Sequence, residues 1–545
     1  MRRHFPALRG GLLLGWSGRS RNTARTTPRR NGRAVDLPPD SAAARCPLPP
    51  HDHLLYNHAA HCPEAGGKVL SETAAFDVPS AAGRLREAGM SPADADAKAR
   101  MLARCAVSLA EGGADIAAAS AMFVPGRLEV LGTHTDYAGG RSVTCPVEQG
   151  FALLSVPRDD ARVRLIDASR GEAAEFAVAA DLAPIEGHWS RYPMAVARRL
   201  ARNFPGPLRG ADAAFASDLP PAAGMSSSSA LVIASYLAMN VANDFASREP
   251  YRANLRTRED LAAYLATMEN GRSFGTLLGD RGVGTFGGSE DHTAILCGVV
   301  GRLSCYRYCP VRLEKRIALP EGYVFAIAAS GVAAAKTGDA REKYNRASLL
   351  ACAVLSAWNA ATGRDDPHLA AAMESAPDAA ERMRAALRIA HSPQFTAPAL
   401  LRRFDHFAAE SHEIIPAACA ALERGDVAEF GRQCDRSQEI AEALLANQVP
   451  QTIHLARSAR RLGAAAARSF GAGFGGAVWA LLRLDDAEAL LAEWSARYRA
   501  EHPDEAARAR FFLTRPGPPA VSASAARRRS LRGGSSRFSH LPGLR

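Results

Sequence analysis

The chain has 545 residues, 47% apolar and 23% charged, proportions of a globular protein of two to four domains. No uninterrupted apolar run approaches the roughly 18–20 residues of a membrane-spanning helix, which excludes an integral membrane protein of that kind. The formal charge of +11 would point to a polyanionic partner, but residues 1–60 carry ten Arg against three Asp and residues 516–545 carry six Arg and no acid. The body, 61–515, holds 51 basic and 53 acidic residues, so neither nucleic acid nor a membrane surface is expected as a partner.

Residues 1–35 are rich in Arg, Ser and Thr. Arg2-Arg3-His4-Phe5 loosely resembles a twin-arginine export signal, but the apolar region (Gly11 to Trp16) is short, Pro6 and Arg9 break it, and no small-residue cleavage site follows. A transit peptide is compatible with the composition; the reading adopted is a disordered extension. Four His at 51, 53, 58 and 61, flanked by Pro, read as a solvated linker rather than a metal site. The ten Cys are scattered without a CxxC pair, which fits a reducing, cytoplasmic setting.

Periodicity begins near residue 82. Residues 93–111 predict a helix with Ser91 as cap and Pro92 in the first turn. Phe151–Val156 and Val163–Ile166 alternate around Arg158-Asp159-Asp160, the pattern of a hairpin. Phe325–Ala329 and Val478–Leu482 predict buried strands, and 346–361, 379–390, 413–424 and 435–446 have helical spacing. Strands mixed with helices, without strict alternation, favour an α+β class.

Three segments carry chemistry. Val124 to Gly140 runs from an apolar strand into a loop offering a cation (Arg127), an imidazole (His134) and a carboxylate (Asp136), groups that can hold a polyhydroxylated ligand. Pro220 to Ala230 opens a buried helix, and four consecutive Ser exceed what an N-cap needs. Free backbone N–H groups and the helix dipole there suit an incoming phosphate. Phe470-Gly-Ala-Gly-Phe-Gly-Gly476 precedes a strand, so it is not a Rossmann fingerprint.

In this order the three resemble the motifs of the GHMP kinase superfamily, most closely the galactokinases. The first is similar to the signature G-R-x-N-L-I-G-E-H-x-D-Y, the second to the P-x-x-x-G-L-S-S-S-A phosphate loop and the third to the G-x-G-F-G-G loop. Gly287-Gly-Ser-Glu-Asp291 resembles the G-x-x-D-Q segment that carries the catalytic Asp. Ser330-Gly-Val with Tyr344-Asn-Arg346 resembles a segment that reaches the sugar. The resemblance covers about 120–485, extended to 82–515 by flanking elements.

The resemblance implies transfer of the γ-phosphate of ATP, with Mg²⁺, to an alcohol, in galactokinases the anomeric hydroxyl of galactose. It implies Asp291 as base and Arg127 beside the nucleophilic oxygen. His134, Asp136, Thr133 and Tyr344 map onto the sugar site. Gly224, Ser226, Ser227, Ser228, Ser229, Gly473 and Gly475 map onto the nucleotide site. Ser228 and Glu269 would hold the cation, with Glu290 an alternative because about ten extra residues separate Glu269 from Asp291. Thr133 stands where the signature has Glu, a loss worth roughly 1.5–3 kcal/mol. Glu129 and Met225 also depart from the pattern. Thr133 opens the alternatives of a heptose, arabinose, N-acetylhexosamine or cyclitol kinase. The third reading is a non-catalytic sugar- and ATP-binding sensor, against which Asp291, Arg127 and the serine loop argue, since a sensor has no need of a base.

The implied architecture is two α+β lobes with the active site between them, the C-terminal lobe ferredoxin-like. Expected bounds are 1–81 for the basic extension and linker, 82–320 and 321–515 for the lobes, and 516–545 for a disordered basic tail. The oligomeric state is not legible in the sequence.

Overall fold

Ser120–Leu131 (β1) and Arg141–Pro157 (β2) are almost continuously buried because both faces of their sheet are covered. Successive side chains point to opposite faces. Phe123 and Leu154 pack with Leu85, Leu102 and Leu109 of two helices, α1 (Val78–Glu87) and α2 (Pro92–Glu111). Val124 and Leu153 face the other layer, which contains α3 (Arg191–Asn203), α4 (Ser227–Asn243) and α6 (Arg258–Asn270); the short α5 (Glu249–Asn254) precedes α6. The computed structural model describes residues 76–334 and 338–524. The N-terminal extension, the His51–Cys62 cluster and the tail beyond Ser524 lie outside the described residues.

The first sheet has eight strands. β3 (Arg162–Asp167), β4 (Glu172–Ala177) and β5 (Ala211–Ser217) extend it in the order β1-β2-β5-β3-β4, and β6 (Arg302–Arg307) and β7 (Arg312–Ala318) attach to the start of β2. The helix expected at 93–111 forms, with Ser91 as its cap. The expected hairpin of β2 and β3 does not, because β5 inserts between them, antiparallel to β2 and parallel to β3. Arg158 holds the opened turn by pairing with Asp160 (2.7 Å) and with Asp212 of β5 (3.0 Å).

The second sheet, β8 (Tyr323–Ala329), β9 (Ala466–Phe470), β10 (Ala477–Arg483) and β11 (Arg510–Thr514), runs β11-β8-β10-β9. Helices connect β8 to β9 and β10 to β11. That is the β-α-β-β-α-β order of a ferredoxin-like unit, so the α+β, two-lobed expectation agrees with the structure. The first of the connecting helices, α8 (Gly338–Thr362), belongs to a helical layer whose Val354, Trp358 and Phe407 enclose Tyr137 and Ala138 from the loop after β1. No helix among the described residues is long and apolar enough to cross a membrane.

The chain does not leave the fold at 515. Residues 516–520 cross back to the first sheet, and β12 (Val521–Ser522) pairs with Met122 and Phe123 of β1. Its Pro and Ser content masked this, because such a segment needs only one partner strand and small residues to bury; Ala520 and Ala523 are 4% and 3% exposed. Order also begins earlier than 82, with α1 at Val78.

Four backbone hydrogen bonds tie the returning segment, Gly301 N to Pro516 O, Gly517 N to Pro146 O, Ala520 N to Ile295 O and Ala523 N to Ala121 O, at 2.8–3.0 Å. At about 0.5–1.5 kcal/mol each, ending the chain at Arg515 rather than Ser524 lowers stability by about 2–6 kcal/mol. Urea unfolding of the two forms measures this, and coincident curves would show that the segment adds nothing.

Candidate active site

The site forms where β1 stops being regular. Its pairing with β2 shifts between Pro125 and Arg127 and again between Glu129 and Leu131. Gly126 sits at the first bulge, where a Cβ would lie 2.6 Å from Leu219 Cδ2 and 2.9 Å from the Met225 carbonyl oxygen, so only glycine lets β1 approach the serine loop. Arg127 N then donates to Met225 O (3.2 Å).

Arg127, 4% exposed, projects from this bulge. Its Nε donates to Asp291 Oδ1 (2.7 Å) and its Nη1 to Gly224 O (2.7 Å). Glu290 Oε1 and Glu129 Oε2 stand 3.5 and 3.6 Å from the guanidinium. Burial alone would weaken the charge, but Asp291, Glu129 and Glu290 outweigh it and hold Arg127 above its ordinary pKa. Arg127 therefore joins the first motif to the serine loop and to the start of α7 (Glu290–Cys297).

The serine loop ends at Ser226, whose backbone is left-handed (φ 61°) immediately before α4. Its hydroxyl is buried without a hydrogen-bond partner and lines the cleft, an arrangement that fits an incoming oxyanion at the N-terminus of a 17-residue helix. Ser229 Oγ lies 2.7 Å from Glu269 Oε1 and 3.2 Å from Asp291 Oδ2. Ser228, the expected cation ligand, is half-exposed on the same turn, and it is the buried Ser229 that meets Glu269; Ser227 is also half-exposed. The ten extra residues before Asp291 do not displace Glu269. They fold against α3, where Arg198 Nε pairs with Asp280 (2.7 Å) and Arg199 Nη1 donates to the Arg272 carbonyl (3.0 Å).

The oxygen-only set of Ser229, Glu269 and Asp291 fits a hard divalent cation such as Mg²⁺. Among the described residues no group of three or more His, Cys, Asp or Glu is arranged to hold a metal, so nucleotide oxygens would have to complete the shell.

His134 (φ 60°) bonds Tyr137 Oη through Nδ1 (3.0 Å) and the Ala472 carbonyl through Nε2 (3.1 Å), linking the first and third motifs. Tyr344 stands 5.2 Å from the His134 ring. Asp136 accepts from Tyr137 N (2.8 Å) and Glu290 N (3.1 Å), so it caps α7; burial pushes its pKa up to about 6. The third motif reaches the cleft through Gly471 and Ala472 rather than Gly473 and Gly475, which pack against Asn447 and Val332. A Cβ on Gly471 would lie 2.8 Å from Gly224 O, which explains glycine there. Ser330 is held away from the cleft by the Gly476 carbonyl (2.7 Å), and Asn345 bonds Phe286 N and the Gly284 carbonyl.

Thr133, expected at the sugar, does not line the cleft. Its hydroxyl donates to Glu129 Oε1 and accepts from Arg468 Nη2 (2.7 Å). Glu129 and Glu290 line the cleft instead. Glu129 was legible only as a departure from the signature. Glu290, expected only as an alternative cation ligand, has a buried Oε1 without a hydrogen-bond partner, and burial with the nearby Glu129 raises its pKa well above the carboxylate range. Arg468, fully buried, lies 3.6 Å from both Glu129 Oε1 and Glu410 Oε1.

Removing that guanidinium would strand two buried carboxylates. Arg468→Met is expected to destabilise the protein by about 3–5 kcal/mol in denaturant unfolding. A loss below about 1 kcal/mol would contradict the view that Arg468 neutralises them.

Residues 113–154 match the galactokinase galactose-binding signature, 191–280 the GHMP kinases N-terminal domain and 418–500 the GHMP kinases C-terminal domain. A galactokinase of Actinobacillus pleuropneumoniae is 36% identical over 116 residues, 21% of this chain and 30% of that protein. A galactokinase of Roseiflexus sp. is 27% identical over 368 residues, 67% of this chain and 83% of the relative. The fold is similar to that of Lactococcus lactis galactokinase complexed with galactose (TM-score 0.59, 21% identity), covering 74% of this chain and 95% of that one. The match to the first of these relatives thus spans less than a third of its length, whereas the matched segments here follow the family order and meet at one cleft. Three segments of the chain match, in order, the galactokinase galactose-binding signature and the N- and C-terminal domains of GHMP kinases, and its relatives named above are galactokinases.

Proposed function

We propose that the protein is an ATP-dependent kinase that phosphorylates a small sugar, with the anomeric hydroxyl of a galactose-like hexose as acceptor. One observation carries this reading: Arg127 bonds both Asp291 and the Gly224 carbonyl at 2.7 Å, which sets a carboxylate, a cation and an anion-receptive helix N-terminus around one cleft. Phosphoryl transfer needs a proton acceptor, charge stabilisation and positioning, and little else from the protein.

In this reading Asp291 takes the proton of the acceptor hydroxyl as its oxygen attacks the γ-phosphorus, and the bond from that phosphorus to the ADP oxygen breaks. Arg127 stabilises the negative charge that develops between them. The α4 N-terminus and Ser226 bind the phosphates. Ser229, Glu269 and Asp291 would hold the divalent cation, which neutralises phosphate charge when bound. His134, Asp136 and Tyr344 orient the acceptor, and burial of the site excludes water as a competing acceptor.

The test is ADP release with ATP and Mg²⁺ against galactose, N-acetylgalactosamine, arabinose, a heptose and myo-inositol. Sugar-dependent release is expected from the full chain. Asp291→Asn should lower kcat by about 10²–10⁴-fold. Full turnover in that variant would remove Asp291 from the role of base. Sugar binding without turnover on any acceptor would favour a sensor instead.

A further inference from the structure

The acceptor side of the cleft differs from the signature at two positions four residues apart, Glu129 for Asn and Thr133 for Glu. In the fold the two are partners. Glu129, 3% exposed, projects from the second bulge of β1 and lines the cleft. Its Oε1 accepts from the Thr133 hydroxyl, which in turn accepts from Arg468 Nη2 (2.7 Å). Glu410 lies on the far side of Arg468, fixed by Gly132 N (2.8 Å) and the Ser437 hydroxyl (2.6 Å). One carboxylate oxygen of Glu129 is thus anchored by a buried relay. The other, Oε2, accepts no hydrogen bond from the described residues and stands 3.6 Å from Arg127 Nη2, beside the position at which the proposed acceptor must lie.

We propose that Glu129 is a specificity-determining residue for the acceptor, with Oε2 accepting a hydrogen bond from one sugar hydroxyl. Thr133 and Arg468 are positioning residues that aim it. The carboxylate missing from position 133 is supplied from position 129, and the threonine that replaced it has become its anchor. A carboxylate is acceptor-only when ionised, and a sugar ring presents hydroxyl donors on every side, so the contact discriminates by where a hydroxyl is placed. Asn at 129 would offer a neutral amide and leave Arg468 without this counter-charge. The inference deepens the sugar-kinase reading and rests on it.

The experiment uses the full chain, the preferred acceptor of the panel above and its monodeoxy analogues. Glu129→Gln should raise the KM for the acceptor about 10- to 150-fold, the range for a lost hydrogen bond to a charged group, with the KM for ATP within twofold. Wild type should discriminate against one deoxy analogue by a similar factor, and Glu129→Gln should lose that discrimination. Thr133→Val, which keeps the carboxylate and removes its anchor, should raise the acceptor KM by a smaller factor; this variant carries the test if Glu129→Gln does not fold. An acceptor KM within twofold of wild type and an unchanged deoxy pattern in the folded variants would overturn the proposal. If no sugar supports ADP release, the kinase reading fails and calorimetry with galactose decides this one. Binding that weakens in Glu129→Gln upholds it, and no galactose binding by wild type overturns both.

Discussion

A buried guanidinium must keep its partners, and the site is arranged around that requirement. Arg127 contacts Asp291, Gly224, Glu290 and Glu129, groups drawn from the start of α7, the serine loop and its own strand. Withdrawing any one leaves polar atoms unpaired away from water, at a cost of about 1–3 kcal/mol and more for a charge. The glycine at 126 follows from this constraint, because without a side chain there β1 can bulge close enough to the serine loop for Arg127 to reach Gly224. The glycine at 471 lets the third loop close onto the same carbonyl.

Charge in this protein is local. The excess that makes the chain basic lies in its terminal segments, while the cleft gathers Glu129, Asp136, Glu290 and Asp291 around Arg127. An anionic nucleotide would be received by backbone N–H groups and the helix dipole of α4 rather than by a field of cations. The acidic wall would suit the proposed acceptor, whose hydroxyls are donors. Arg468 and Glu410, a second buried pair behind that wall, give Glu129 a fixed orientation. Such polar groups contribute definition of geometry more than stability.

Much of this was legible in the sequence where the signal is local. The α2 helix, the apolar strands β8 and β10 and the serine loop follow from caps, periodicity and composition within a dozen residues. Asp291, Arg127 and His134 stand in motifs with short spacings, and the fold brings them to one cleft. What escaped was set by partners far along the chain. Strand β5 separates β2 from β3 although no turn signal announces it. Residues 516–524 look like a tail until Ile295 and Ala121 supply their hydrogen bonds. The bond from Arg468 to Thr133 spans 335 positions, and a run of four serines does not say that Ser229 is the one that turns inward to Glu269.

The most direct measurement is phosphorus NMR of the full chain with ATP, Mg²⁺ and galactose. The account predicts stoichiometric conversion of ATP to ADP with a new sugar monophosphate resonance that depends on the sugar. ADP and free phosphate at the same rate with and without sugar, for galactose and for every other acceptor of the panel, would contradict it.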